Sequence, residues 1–343
     1  MALRIFALHK RCQVGARIAT AVLSARRAKP IDIMNTSAPP SRPAPAGPVT
    51  FGPITIVPGR KGGRYPYCHS LVVDQGAETW LVDPAADKDY FRALARTRRV
   101  TGVFLSHFHE DHQKYNHLFP QAKFYGPLLE EEAFSSLDAV FRFMGITDPD
   151  FRDYWRHTLI QDFHFRPPAH FTPYFPGQLF QLGEVTLEII PAPGHTPGHS
   201  CFHFPRQQVL FLADVDLTSF GPWYGDAASD LAAFDATLND LRAFPARTFL
   251  TAHEQGIFSE PEFRSGLAAF HQEIAQREAR LLEALATPQS LAQLVHRRLI
   301  YGKVKQPRFV YDHMEGQMVA KHLDRLLRQG LIALTPAGFQ RLP

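Results

Sequence analysis

From Phe51 onward, apolar and polar positions fall into short runs that read as β-strands. Residues 54–57, 70–73 and 79–82 are rich in β-branched and apolar side chains, and Gly, Pro and Asp turn signals separate them. Residues 89–95 change to helical spacing before another apolar run at 103–105. The second half repeats the theme, with strands expected at 179–182, 185–190, 200–204, 209–213 and 249–251. Two β-rich halves, each followed by helices, predict an α/β chain.

Residues 127–175 break this rhythm. Residues 128–134 and 140–144 have helical spacing and an aromatic-rich tract follows, so the segment reads as a helical insertion placed to form a lid or substrate wall. After Pro261, Phe263, Leu267, Phe270, Ile274, Leu281 and Leu285 predict a long connecting helix over 261–286. Residues 291–298 and 318–329 then read as two helices, and 330–339 as a β-hairpin. The expected organisation is a leader at 1–50, a body at 51–260, the connecting helix, and a small domain at 287–343. No run of about 18 apolar residues occurs, so no transmembrane helix is expected.

Composition sharpens two of these readings. The 343 residues are 45% hydrophobic, 12% aromatic and 20% charged, enough for one large core plus a small module. The net charge of +4 hides an asymmetry: residues 1–50 contribute +7 and residues 287–343 contribute +6, which leaves the middle at −9. An acidic body does not attract polyanions, so any nucleic-acid affinity would have to come from the ends. The leader is Pro-rich and basic without strand or helix periodicity. An organelle-targeting peptide competes there with a solvated tail or an over-extended start, and Arg17 interrupts the only h-region a secretory signal could use. Cys12, Cys68 and Cys201 are too few and too widely spaced for a disulfide framework and fit a reducing, cytoplasmic setting. Cys201 reads as a small core residue.

The chemistry concentrates at 105–112, Leu-Ser-His-Phe-His-Glu-Asp-His, just past the strand expected at 103–105. In extended chain His107 and His109 point the same way, while Asp111 and His112, beyond the bend, face a neighbouring point. Two adjacent metal positions follow. Imidazole and carboxylate suit Zn²⁺ and its neighbours, and no cysteine lies near enough in sequence for a closed thiolate site, so the centre reads as catalytic.

His-x-His-x-Asp-His after a strand resembles the metallo-β-lactamase fold hydrolases, and the resemblance covers roughly residues 52–260. It implies an αββα sandwich with a dinuclear centre at one edge. Asp83 stands where the family has a supporting carboxylate. His195 in Pro-Gly-His-Thr-Pro-Gly-His, Asp214 in Phe-Leu-Ala-Asp and His253 in Leu-Thr-Ala-His supply the remaining ligand motifs in order. The resemblance assigns His107, His109 and His195 to the first metal, Asp111, His112 and His253 to the second, and Asp214 to the bridge. The ions expected are two divalent cations, zinc first, with manganese or iron accepted by the same donors. Ala213 departs from the Gly that often precedes the bridging Asp, and His69-Ser70 from a common Asn-Thr. The C-terminal helices and hairpin resemble the winged helix that some of these hydrolases carry.

For function, the resemblance implies a small-molecule substrate, an ester, thioester or lactone, attacked by hydroxide held between the ions, with Asp111 also able to accept its proton. A nuclease or phosphodiesterase using the winged helix is the alternative, and iron redox chemistry a third. A non-catalytic binding protein would need a missing ligand, and none is missing. Nucleic acid is not the favoured partner, no membrane partner is expected, and the C-terminal module reads as a packing or homodimer element. The loop after Asp214, residues 218–225, offers Trp223 and Tyr224 as substrate-contacting aromatics. His157, His164 and His170 read as non-ligands.

Overall fold

The computed structural model describes residues 43–343. Its first sheet runs β1 (Val49–Phe51), β2 (Ile54–Val57), β3 (Ser70–Asp74), β4 (Thr79–Val82), β5 (Val100–Phe104), β6 (Lys123–Pro127) and β7 (Phe171–Tyr174), paired in chain order. The first four strands are antiparallel and the last four parallel, because helices cross over between them. The second sheet takes β8 (Leu179–Leu182), β9 (Val185–Pro191), β10 (Ser200–Phe204), β11 (Val209–Phe211), β12 (Thr248–Leu250) and β13 (Ile257–Ser259), also in order.

Period-two alternation along these strands divides their side chains between two cores. Leu71, Val73, Val82, Phe104, Phe202, Phe211 and Leu250 meet between the sheets. Their neighbours Val72, Leu81, Val103, Cys201, Leu210 and Phe249 face the helices. Burial on both faces explains why the strands read as nearly continuous apolar runs. Helix α1 (Lys88–Thr97), capped by Asp87 on Asp89 N and Tyr90 N, buries Phe91 on the outer face of the first sheet. A short turn of helix, α2 (Glu110–Gln113), follows β5. The insertion expected near 127–175 holds α3 (Glu131–Ser135), α4 (Leu137–Met144) and α5 (Pro149–Gln161) before β7. Helices α6 (Leu231–Leu241) and α7 (Glu260–Ala284) pack Phe234, Leu238, Phe263, Leu267 and Phe270 into the helix-facing core.

Beyond α7 come α8 (Leu291–Arg297), α9 (Arg308–Arg328) and the hairpin β14 (Ile332–Thr335) with β15 (Gly338–Arg341), which Gln289 joins through a bridge to Phe339. Helix α9 starts ten residues before the expected 318. Val310, Tyr311 and Met314 extend its buried face, a stripe that the polar residues between them obscure in sequence. The leader boundary also moves. Residues 1–42 lie outside the described residues, but Val49 and Thr50 belong to β1, paired with Ile56 and Thr55. Pro48 and Gly52 flank so short a strand that no periodicity marks it. Among the described residues no helix is long and apolar enough to cross a membrane.

Candidate metal centre

Each ligand motif sits just past the end of a strand, at one edge of the sandwich. The loop after β5 carries His107, His109, Asp111 and His112; His195 follows β9, Asp214 follows β11 and His253 follows β12. Backbone geometry sets their directions. Asp83 and Ala213, at matching strand ends, take positive φ of 47° and 46°. Gly194, at φ 128°, passes so close to α6 that a Cβ would lie 2.3 Å from Phe234 N.

The structure brings all seven residues into two adjoining groups, His107, His109, His195 and Asp214, then Asp111, His112 and His253, with the donor atoms of each group within 4.8 Å of one another. Asp214 joins them. Its Oδ2 lies 3.2 Å from His195 Nε2 and 3.7 Å from His107 Nε2, and its Oδ1 lies 2.9 Å from His112 Nε2 and 3.3 Å from His253 Nε2. All seven are buried, His109 the most accessible at 6%.

Outer partners fix which nitrogen of each ring faces inward. His195 Nδ1 donates to the Trp223 carbonyl at 2.9 Å and His253 Nδ1 to the Gly63 carbonyl at 2.6 Å. Carbonyls only accept, so in the neutral form of either ring Nε2 presents its lone pair to the centre. His112 Nδ1 donates to Asp83 Oδ2 at 2.8 Å, and His107 Nδ1 to Ser106 Oγ, which itself donates to Asp83. His109 reverses the pattern, giving Nε2 to Asp226 Oδ2 at 2.7 Å and turning Nδ1 inward, 3.0 Å from His195 Nε2. Asp214 is steadied through its backbone, whose N–H donates to His199 Nε2.

Such an arrangement suits a cation. Asp111 Oδ2, His112 Nε2, both Asp214 oxygens and His253 Nε2 are buried without a hydrogen-bond partner, and orphaned polar atoms at that density are costly unless a metal satisfies them. Burial alone would raise the Asp214 carboxyl, yet His112, His253, His107 and His195 hold it well below its usual range. Burial, then the neighbouring His112, pushes His107 well below 6.5. Burial likewise disfavours charge on His253, but the Asp214 carboxylate outweighs it and brings that ring to about 9. The residues present fit two divalent ions.

The two aromatics expected in the pocket part company. The Trp223 ring centroid lies 5.4 Å from those of both His109 and His195, against the first group of ligands. Tyr224 is turned away: it is fully buried, and its hydroxyl meets Arg277 Nη1 at 2.9 Å and His322 Nε2 at 2.6 Å. It therefore does not form part of a substrate wall, because its contacts with Arg277 and His322 seat the ring between α7 and α9. His157, His164 and His170 are not in either ligand group.

Sequence reasoning passed over Asp226 and Glu130. Glu130, fully buried after β6, accepts Phe108 N at 2.8 Å and Gly198 N at 2.7 Å, so one carboxylate ties the loop of His107 and His109 to the loop of His195. It stands within an acidic run, Glu130-Glu131-Glu132, that resembles a solvated helix start.

A four-layered α/β sandwich with a two-position His/Asp centre at its edge defines the class. Residues 64–253, more than half of the chain, match the metallo-beta-lactamase superfamily, and the chain belongs to that family. It is 25% identical over 209 residues to an atrochrysone carboxyl ACP thioesterase of Paecilomyces divaricatus, covering 58% of this chain and 55% of that protein. It is 24% identical over 209 residues to a hydroxyacylglutathione hydrolase of Haemophilus ducreyi, covering 61% and 74%. The match thus spans little more than half of the first relative's length. Among solved structures, a metallo-beta-lactamase family protein of Thermus thermophilus superposes with a TM-score of 0.64 at 20% identity, over 84% of this chain and 99% of that one. The likeness is one of fold.

Proposed function

We propose that this chain is a metal-dependent hydrolase of a small-molecule ester, thioester or lactone, with a thioester the first choice. The observation that carries the reading is Asp214, whose two buried, unpartnered oxygens divide between the two ligand groups. Two divalent cations, zinc by expectation, would supply Lewis acidity and bring a water's pKa toward about 7. The chain's own residues do the rest. Asp111, buried with Oδ2 unpartnered, is placed to accept the proton as the attacking oxygen adds to the carbonyl carbon. Trp223 covers the His109 and His195 side against water. Tyr65 donates to Glu110 Oε1 at 2.8 Å and holds that carboxyl in place. The thioesterase and hydroxyacylglutathione hydrolase relatives favour a thioester.

The nuclease alternative leans on the cations of residues 287–343. Several are already engaged: Arg298 and Arg308 with Asp312, Arg325 with Glu278 and Asp235, Arg328 with Asp324. That pairing supports a packing role for the winged-helix-like unit. Elemental analysis of the purified chain should find about two divalent ions, and Asp214→Asn should lose the pair together with nearly all turnover on a panel of thioesters, esters and lactones. One tightly bound iron with oxygen consumption, or cleavage confined to phosphodiesters, overturns the proposal.

A further inference from the structure

The outer partners of the two metal positions come only in part from the same region of the molecule. For the second position they lie in the sandwich itself: Asp83 at the end of β4 holds His112, and the Gly63 carbonyl holds His253. For the first position His107 is likewise held within the sandwich, by Ser106 and through it Asp83, but the other two rings are held from the loop after β11, where the Trp223 carbonyl meets His195 and the Asp226 carboxylate meets His109. That loop is irregular between Val215 and Asp230, so something else must fix it.

What fixes it is the C-terminal unit and the helix leading to it. Arg277 of α7, fully buried, donates to the carbonyls of Phe220 and Pro222. Lys321 of α9 donates to the Asp226 carbonyl at 2.5 Å. Trp223 Nε1 donates to Tyr301 Oη at 2.9 Å, and the fully buried Glu315 accepts the Ile300 and Tyr301 N–H groups at 3.0 Å each, holding that tyrosine in turn. Two chains of contact run inward from there, Lys321–Asp226–His109 and Glu315–Tyr301–Trp223–His195. Both end on ligands of the first position, whereas the Asp83 and Gly63 contacts of the second position are made within the sandwich.

We propose that Lys321 and Tyr301 are positioning residues for the first metal position, so that docking of residues 287–343 governs its occupancy while the second position loads independently. The inference rests on the dinuclear reading above. Groups that orient a ligating histidine alter metal affinity by about 10- to 100-fold when removed, and here each acts one residue further out, so the lower end of that range applies.

Two single-position backgrounds separate the effects. His253→Ala removes a ligand of the second position, and His195→Ala a ligand of the first. Zinc titration against a chromophoric chelator then gives one dissociation constant in each. Adding Lys321→Met to the His253→Ala protein should weaken zinc about tenfold, with Lys321→Arg restoring most of it; adding it to the His195→Ala protein should change the constant less than about twofold. Cobalt substitution adds a spectroscopic readout: the visible ligand-field band of the first position should shift with Lys321→Met and stay with Lys321→Arg. Tyr301→Phe, which keeps the ring and removes the indole's acceptor, repeats the test if Lys321→Met fails to fold. Equal weakening in both backgrounds, or none in either, overturns the inference. A wild-type chain that binds no zinc instead overturns the dinuclear reading on which it stands.

Discussion

Replacing Gly194 with alanine tests how tightly the first metal position is built. The residue before His195 has φ 128°, and an added Cβ would lie 2.3 Å from Phe234 N and Cα and 2.4 Å from Phe234 Cβ. Two of those atoms are helix backbone, so no side-chain rotation relieves the overlap. The helix cannot simply retreat, since Gly194 O accepts the Asp230 N–H at 2.9 Å and Asp230 caps α6 on Ala232 N and Ala233 N. Backbone strain at such a φ costs about 1–3 kcal/mol, and overpacking against fixed structure about 1–3 kcal/mol more. A loss of about 2–6 kcal/mol corresponds, at roughly 2 °C per kcal/mol for a large domain, to a melting point about 4–12 °C lower. Gly76→Ala is the matched control, because Gly76 has φ 75° with open space around it and should cost about 1 kcal/mol. Calorimetry of the two variants decides. If Gly194→Ala melts within about 2 °C of Gly76→Ala, the close approach of this turn to α6 is not what positions His195.

Two further outcomes follow from the structure. Burial holds the His69 ring at about 4, where Nδ1 accepts Gly59 N and Nε2 meets the Glu254 carbonyl. The unfolded chain then binds the extra proton between pH 6.5 and 4, so this contribution is complete above 6.5 and is lost as the pH falls toward 4. The stability advantage of the wild type over His69→Gln, read from urea midpoints, should shrink across that window by up to about 3 kcal/mol, and a constant difference contradicts it. At the N-terminal end, a chain starting at residue 52 loses β1, bares the β2 edge and should melt several degrees below one starting at residue 43; equal melting of the two would show that β1 adds nothing.

The candidate ligands were legible in the sequence because the side chains that gather at the centre lie in short motifs. His107, His109, Asp111 and His112 are near neighbours, and His195, Asp214 and His253 each close an apolar run. The strands were legible for a related reason, since burial on both faces leaves them almost wholly apolar. What escaped was set by tertiary approach. Glu130 is one acid among three until folding lays it between two ligand loops. Asp226 lies 117 residues from the His109 it orients. Trp223 and Tyr224 look equivalent as adjacent aromatics, and only the packing of Arg277 and His322 decides which ring faces the ligands. β1 is three residues long, too short for alternation to register.

The burial of all seven ligands has a consequence for time rather than for affinity. Were ions held by side chains of which the most open is 6% exposed, those donors could move apart only with the loops that carry them, and exchange would be expected to run at the pace of loop opening. Because histidine and carboxylate donors accept several divalent metals, with availability often deciding among them, the ion present while the loops close would be retained afterwards. Metal content of a purified sample would then record the medium in which the chain folded, and exchange into another metal should be faster after partial unfolding than by dialysis alone.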